Sequence, residues 1–289
     1  MSAHHNQSIQ QQAISPELRV WIQEQLAQGF TRAQLLDAMK SSGWQEDLAA
    51  RALDESRADS DVQVPAELQI ASKVPELDLS GGQPTLWIDG HEVKVLMSIT
   101  QPRVVVLGGL LSDAECDAMV AAASARLARS ETVATTPGGS EINPARTSDG
   151  MFFERGESEL IRTIESRLAK LLNWPIDHGE GLQVLRYRPG AEYLPHYDYF
   201  DPTMDGAAAI LKRGGQRVGT LVMYLNTPQA GGATIFPDIK LDVSPVKGNA
   251  VFFSYDRPHP QTQSLHGGAP VREGEKWVAT KWLRAGVFV

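Results

Sequence analysis

The chain has 289 residues, 42% of them hydrophobic, which is enough for a full core and a small second domain. Its formal net charge of -8 disfavours a general affinity for nucleic acid or anionic membrane, both of which need basic surfaces, and leaves room only for a local basic patch. The single cysteine, Cys116, excludes an intrachain disulfide and thiolate zinc sites, and it reads as a small buried hydrophobe.

Residues 1–14 are polar and Gln-rich and are expected to be disordered. They hold no apolar signal core, and no stretch reaches the length of a membrane span, so a cytoplasmic setting is expected. Over 15–57 the signals change to three short helices. Ser15 caps the first, with Pro16 at its opening position, and Gly29 stops it. Thr31 with Gln34 forms a capping box for the second, whose Leu35, Leu36 and Met39 share a face before Gly43. The third carries Leu48, Ala49, Ala52 and Leu53. This pattern, with GF and GW at its turns, resembles the ubiquitin-associated-like helical fold. The resemblance implies a surface for a protein partner or for docking on the rest of the chain. Residues 58–84, which include the Gly- and Pro-rich run DLSGGQP, read as a linker.

From residue 85 the strand signals begin. TLWIDGHEVKVLMS is a hairpin turning at Asp-Gly, and PRVVVLGGLL is a strand. Helices are predicted over 112–127 and 156–172, followed by strands at 183–188, 193–199, 217–226, 250–255, 262–266 and 276–283. Helices first and strands afterwards suit an α+β domain over 85–289, in which helices buttress a double-sheet jelly roll. Two long segments, TTPGGSEINPART and FDPTMDGAAAILKRGGQ, read as mobile loops able to close over a bound chain.

His196 and Asp198 lie two apart in YLPHYDYF, so on a strand they share a face and can offer an imidazole and a carboxylate to one metal. His266 in SLHGGAP is the third ligand of a set that suits Fe(II) and leaves positions open for a co-substrate and dioxygen. His259 competes for that third place, but it sits between two prolines in RPHPQ, which suits an exposed loop.

The runs RYRPGAEYLPHYDYF, RVGTLVMYLNTPQAGGATIFP, KGNAVFFSYD and SLHGGAPVREGEKWVATKWLR, with RTSDGMFF upstream, resemble the catalytic domain of the prolyl 4-hydroxylase family. These are non-haem Fe(II) and 2-oxoglutarate dependent dioxygenases, and the resemblance implies their double-stranded β-helix fold. It also implies Fe(II), 2-oxoglutarate and dioxygen, with ascorbate as reductant. The expected reaction hydroxylates a prolyl residue in a peptide or protein and decarboxylates 2-oxoglutarate to succinate and carbon dioxide. By the same resemblance His196, Asp198 and His266 hold the iron, and Lys276 meets the distal carboxylate of 2-oxoglutarate. Tyr187 and Thr220 help to hold that co-substrate, and Tyr224 joins them because it shares Thr220's face on a regular strand. Tyr193, Arg146, Ser148 and Trp282 fall on the substrate side. Lys281, an odd number of residues past Lys276, is expected to face away and be solvated. Arg284 stands where family members can carry His. A free amino acid or other small molecule as substrate, and a partner-binding adaptor without turnover, are the alternatives.

Overall fold

The computed structural model describes residues 22, 32–41, 44, 46–60, 71–129, 132–133, 140–141, 147–202, 204 and 206–289. The chain divides into two units, Met1–Gln69 and Ile70–Val289. Among the described residues no helix is long and apolar enough to cross a membrane.

In the first unit, α1 (Arg32–Ser41) and α2 (Glu46–Ser60) follow each other in sequence and share one small core. Leu35 and Met39, one helical turn apart, are buried with Ala49, Ala52 and Leu53, as their spacing dictates, and Ile22 joins the same cluster. Arg32 clasps Asp54 through two contacts of 2.9 and 3.0 Å at the exposed side, where such a pair contributes little. The first of the three expected helices lies outside the described residues apart from Ile22, as does the segment 1–14.

The second unit runs β1 (Thr85–Ile88), β2 (His91–Ile99), β3 (Arg103–Gly108), α3 (Asp113–Ser124), β4 (Ala128–Arg129), β5 (Thr132–Val133), β6 (Ser140–Glu141), β7 (Asp149–Phe153) and α4 (Glu159–Leu171). It continues through β8 (Leu182–Tyr187), β9 (Tyr193–His196), α5 (Ala207–Leu211), β10 (Arg217–Tyr224), β11 (Ala230–Gly231), β12 (Thr234–Phe236) and β13 (Leu241–Val243). The last strands are β14 (Ala250–Ser254), β15 (His266–Gly268), β16 (Val271–Glu273) and β17 (Lys276–Arg284). Ser112 starts α3 with a full capping box: its hydroxyl accepts from the Glu115 N–H, and the Glu115 carboxylate accepts from the Ser112 N–H.

Nine strands form one antiparallel sheet in the order β1-β2-β3-β14-β10-β17-β8-β7-β4, and four form a second in the order β13-β12-β15-β9. β17 lies inside the large sheet and is buried along its whole length, so its two faces serve different layers. Trp277, Ala279 and Leu283 point to the side where α3 and α4 pack, in one core with Met119, Ile161, Ile164 and Leu168. Val278 points the other way, into a second core with Tyr224, Phe253 and, from the small sheet, Phe236 and Val243. The order of layers is therefore helices, large sheet, small sheet.

Three expectations are corrected here. Lys281 does face away from Lys276, but it is 2% exposed and not solvated, because α4 covers that face. Its ammonium donates to Glu165 at 2.6 Å, and Glu165 sits within the otherwise apolar stripe of Ile161, Ile164, Leu168 and Leu171. The strand expected to end at His266 begins there; a short 3-10 turn, Pro260–Thr262, precedes it. The segment FDPTMDGAAAILKRGGQ contains α5, while most of TTPGGSEINPART lies outside the described residues.

The second half of the expected linker, residues 71–84, is a strap on the second unit. Leu77 is 3% exposed within the helix-side core, with Val74 and Leu79 packed beside it. The Ser72 N–H donates to Asp256 O at 2.8 Å, the Glu76 N–H to Leu172 O at 3.0 Å, and the Arg103 guanidinium grips the Glu76 carboxylate. Leu77→Ala should therefore lower the unfolding free energy by about 2–4 kcal/mol, as buried leucines do when truncated. Urea denaturation checks this as a lower midpoint at unchanged slope, and an unchanged midpoint would mean that the strap adds nothing to the fold.

Candidate metal and co-substrate site

β9 and β15 pair antiparallel with His196 directly opposite His266. The two backbones come unusually close at this point: a Cβ at Gly267 would stand 2.8 Å from Tyr193 O and 3.1 Å from Pro195 N, so only glycine fits. The two imidazoles consequently face each other with centroids 4.5 Å apart. Asp198 follows two residues after His196 and turns to the same side. One ligand atom from each of the three side chains lies within 4.8 Å of the others.

Each histidine is held in the tautomer a metal needs. His196 Nδ1 is 2.9 Å from Leu194 O and His266 Nδ1 is 2.9 Å from Ser264 O. A carbonyl can only accept, so each Nδ1 carries a proton and each Nε2 is the nitrogen turned toward Asp198. Those Nε2 atoms stand 3.6 Å and 3.4 Å from the two oxygens of Asp198. Burial works to raise the Asp198 carboxyl, but His266 and His196 outweigh it and hold the group well below the carboxylate range. His196 is lowered, first by burial and then by the neighbouring His266. The site thus presents two imidazole Nε2 atoms and an ionised carboxylate, a donor set that fits Fe(II).

Phe253 and Phe236 close around His266 with centroids at 4.4 and 6.1 Å, and the Tyr193 ring stacks on His196 at 3.7 Å. His259 stands apart. Its Nδ1 accepts from the Gln261 N–H at 3.1 Å and caps the short turn that follows.

Lys276, the first residue of β17, opens onto the same cavity as the triad. It is 4% exposed, its Nζ lies 5.5 and 5.8 Å from the ring centroids of Tyr187 and Tyr224, and no carboxylate among the described residues pairs with it. Burial alone pushes its pKa down to about 7. Gly232, at φ +74°, leaves room for the stem, since a Cβ there would stand 3.2 Å from Lys276 Cδ. The two buried lysines of β17 make an informative contrast. Lys281 has Glu165, whereas Lys276 has aromatic walls and open space, the condition of a cation built to receive an anion from outside.

The remaining sequence-predicted residues fall around this axis. Tyr187 pairs with Lys276 in register and lines the cavity. The Tyr224 hydroxyl is committed to Thr234 Oγ1 at 2.9 Å, so it is no open donor, and it is Thr234 that lines the cavity. Thr220 lines the cavity too, but its hydroxyl proton goes to Asp198 Oδ2 at 2.7 Å, which makes it a partner of the metal ligand before any co-substrate. Trp282 lies further along the same face of β17, 8% exposed, and its indole N–H is buried without a hydrogen-bond partner among the described residues. Ser148 is fully buried; Arg146 lies outside the described residues. Arg284 continues the Trp282 face and donates to Ile210 O of α5 at 2.7 Å.

Three participants had no sequence signal. Arg217 lays its guanidinium 4.0 Å above the Trp282 ring and holds Glu180 through bonds of 2.7 and 2.9 Å. Tyr255, just past β14, reaches Thr220. Arg217, Glu180 and Tyr255 lie in different segments, and only strand pairing brings them to the site.

Comparison with known proteins agrees with this geometry. Residues 182–284 match the model of the 2OG-Fe(II) oxygenase superfamily. The probable prolyl 4-hydroxylase 3 of Arabidopsis thaliana is 38% identical over 209 residues, covering 65% of this chain and 71% of that protein. Prolyl 4-hydroxylase 1 of the same plant is 42% identical over 200 residues, covering 63% of this chain and 69% of that protein. Among solved structures, the viral collagen prolyl hydroxylase of Paramecium bursaria Chlorella virus-1 in its 2OG complex is 32% identical, covering 63% of this chain and 94% of that one, with a TM-score of 0.48.

The free Lys276 ammonium fixes a pH dependence. Below about pH 7 it is charged and can meet an anion directly; above that an anion must draw in a proton as it binds, so affinity falls, by up to about tenfold per pH unit. Calorimetric titration of the metal-loaded chain with 2-oxoglutarate between about pH 6 and about pH 9 should show this decline, and Lys276→Ala should remove it while weakening binding by about 2–5 kcal/mol. A flat profile for the unaltered chain would contradict the reading of Lys276.

Proposed function

Because the chain belongs to the prolyl 4-hydroxylase family of Fe(II)- and 2-oxoglutarate-dependent dioxygenases, we infer that it hydroxylates prolyl residues in a peptide or protein. The coupled reaction is the oxidative decarboxylation of 2-oxoglutarate to succinate and carbon dioxide. The observation that carries this reading is the shared cavity, in which two imidazoles and a carboxylate face inward beside a buried lysine with no internal counter-charge.

His196, Asp198 and His266 would hold Fe(II), whose bound form supplies the positions at which co-substrate and dioxygen react. Lys276 would neutralise the distal carboxylate of 2-oxoglutarate, with Tyr187 and Tyr224 flanking it and Thr220 beside the metal end. Leu185, Val222 and Val278 line the same cavity and keep that stretch apolar, which limits water near the reacting atoms. On the substrate side, Trp282 presents its unpartnered indole N–H, a donor for a peptide carbonyl, from a ring fixed by Arg217. Tyr193, Ser148 and Arg146 are assigned to the same side. The two packed sheets are read as a double-stranded β-helix. Ascorbate as reductant, a cytoplasmic setting and a partner-recruiting role for the N-terminal helices complete the reading and rest on the sequence alone.

The test combines chemistry and position. Proline-rich peptides incubated with the chain, Fe(II), 2-oxoglutarate and ascorbate should gain one oxygen atom on a prolyl ring, located by fragmentation and NMR. His266→Ala should bring 2-oxoglutarate turnover to background, while His259→Ala should keep most of it. Trp282→Ala should lower peptide hydroxylation by about tenfold or more, yet leave the slow decay of 2-oxoglutarate without peptide nearly unchanged, since it would place the target without touching the metal. Hydroxylation confined to free amino acids would overturn the peptide assignment, and metal binding without any turnover would favour an adaptor.

A further inference from the structure

Asp198 has two carboxylate oxygens, and they are treated differently. Each faces an imidazole, Oδ1 at 3.6 Å from His196 Nε2 and Oδ2 at 3.4 Å from His266 Nε2, but Oδ2 also accepts a 2.7 Å hydrogen bond from Thr220 Oγ1. Thr220 Oγ1 also lies 2.9 Å from the Tyr255 hydroxyl. A threonine hydroxyl has one proton, and an ionised carboxylate can only accept. The direction is therefore forced: Tyr255 donates to Thr220, and Thr220 donates to Asp198. All three side chains are buried, at 2%, 0% and 6% exposure, so water cannot easily take over either bond.

The backbone holds this chain of hydroxyls in place. Thr220 sits inside β10, paired with Phe253 of β14 on one side and with Trp282 of β17 on the other. Tyr255 follows β14 directly, its N–H bonded to Val218 O at 3.1 Å and its ring edge-on to Tyr199 at 6.1 Å. Sheet pairing thus fixes both backbones, and ring packing holds the Tyr255 hydroxyl toward Thr220.

We propose that Tyr255 and Thr220 are positioning residues which, by occupying Asp198 Oδ2, keep that carboxylate to a single-oxygen grip on the metal. A carboxylate with both oxygens free can bind an ion through both, and that would consume a position which co-substrate or dioxygen needs. The outer hydroxyl acts only through the inner one: by ordering the Thr220 oxygen it aims the Thr220 proton. This rests on the metal site proposed above.

Co(II) titration of the full chain, followed by its visible absorption, tests the arrangement without catalysis. Thr220→Val should weaken Co(II) binding by about 10–100-fold, the usual effect of removing an outer partner of a metal ligand. Tyr255→Phe, which deletes one hydroxyl and keeps the ring, should weaken it by about 3–10-fold, in line with one hydrogen bond. Both should alter the Co(II) band shape, whereas Thr220→Ser should keep the wild-type spectrum. Because Tyr255 works through Thr220, the double variant should bind no worse than Thr220→Val. A Tyr255→Phe chain with wild-type Co(II) affinity and spectrum, or additive losses in the double variant, would overturn the proposal. So would a fall in melting temperature of the metal-free chain without a shift in Co(II) affinity. Failure of the unaltered chain to bind Co(II) would instead remove the metal site itself, and the relay with it.

Discussion

A three-residue strand, His266–Gly268, lies against Tyr193–His196 at a separation that the missing side chain of Gly267 permits. Everything chemical in the molecule follows from that approach. It sets the two imidazoles opposite each other, and it lets Asp198, just past the end of the same strand, turn in between them. Two backbone carbonyls, from Leu194 and Ser264, then fix which nitrogen of each ring is free. The ligand set is thus assembled by main-chain geometry before any ion arrives.

The second organising element is β17, whose alternation divides its duties between two layers. One row carries Lys276, Val278, Thr280 and Trp282 into the cavity; the other carries Trp277, Ala279, Lys281 and Leu283 toward the helices. The two lysines are both buried, and the difference in their surroundings is a difference of purpose. A buried charge with its own carboxylate is structural, and little favours exchanging that partner. A buried charge facing open space stays costly until an anion arrives, and that cost becomes ligand selectivity.

Local patterns made part of this legible. The His196–Asp198 spacing, the helix predicted from residue 112 and the alternation of β17 all depend on neighbours a few residues away, and sequence carries that information directly. What could not be read was pairing across the chain. Thr220 as a partner of Asp198, Tyr255 behind it, and Arg217 with Glu180 beneath Trp282 require strands distant in sequence to lie side by side. Lys281 shows the boundary clearly. Its direction followed from parity, but its burial depended on Glu165 of a helix more than a hundred residues earlier. Composition misled at residues 71–84 for a related reason: a Gly- and Pro-rich segment looks like spacer until Leu77 is seen in the core.

That strap also changes how the molecule should be divided. Pro75 rests on Gly219, one residue before Thr220, so the segment covers the back of the very strand that steadies the metal ligand. A shortened protein begun at the apparent composition break near Pro84 would take Leu77 out of the helix-side core and Pro75 off Gly219, and would offer fresh apolar surface to other molecules. Clumping of such a fragment, or a weak grip on its metal, would then report a missing flap of peptide. It would be no measure of the oxygenase domain's own competence.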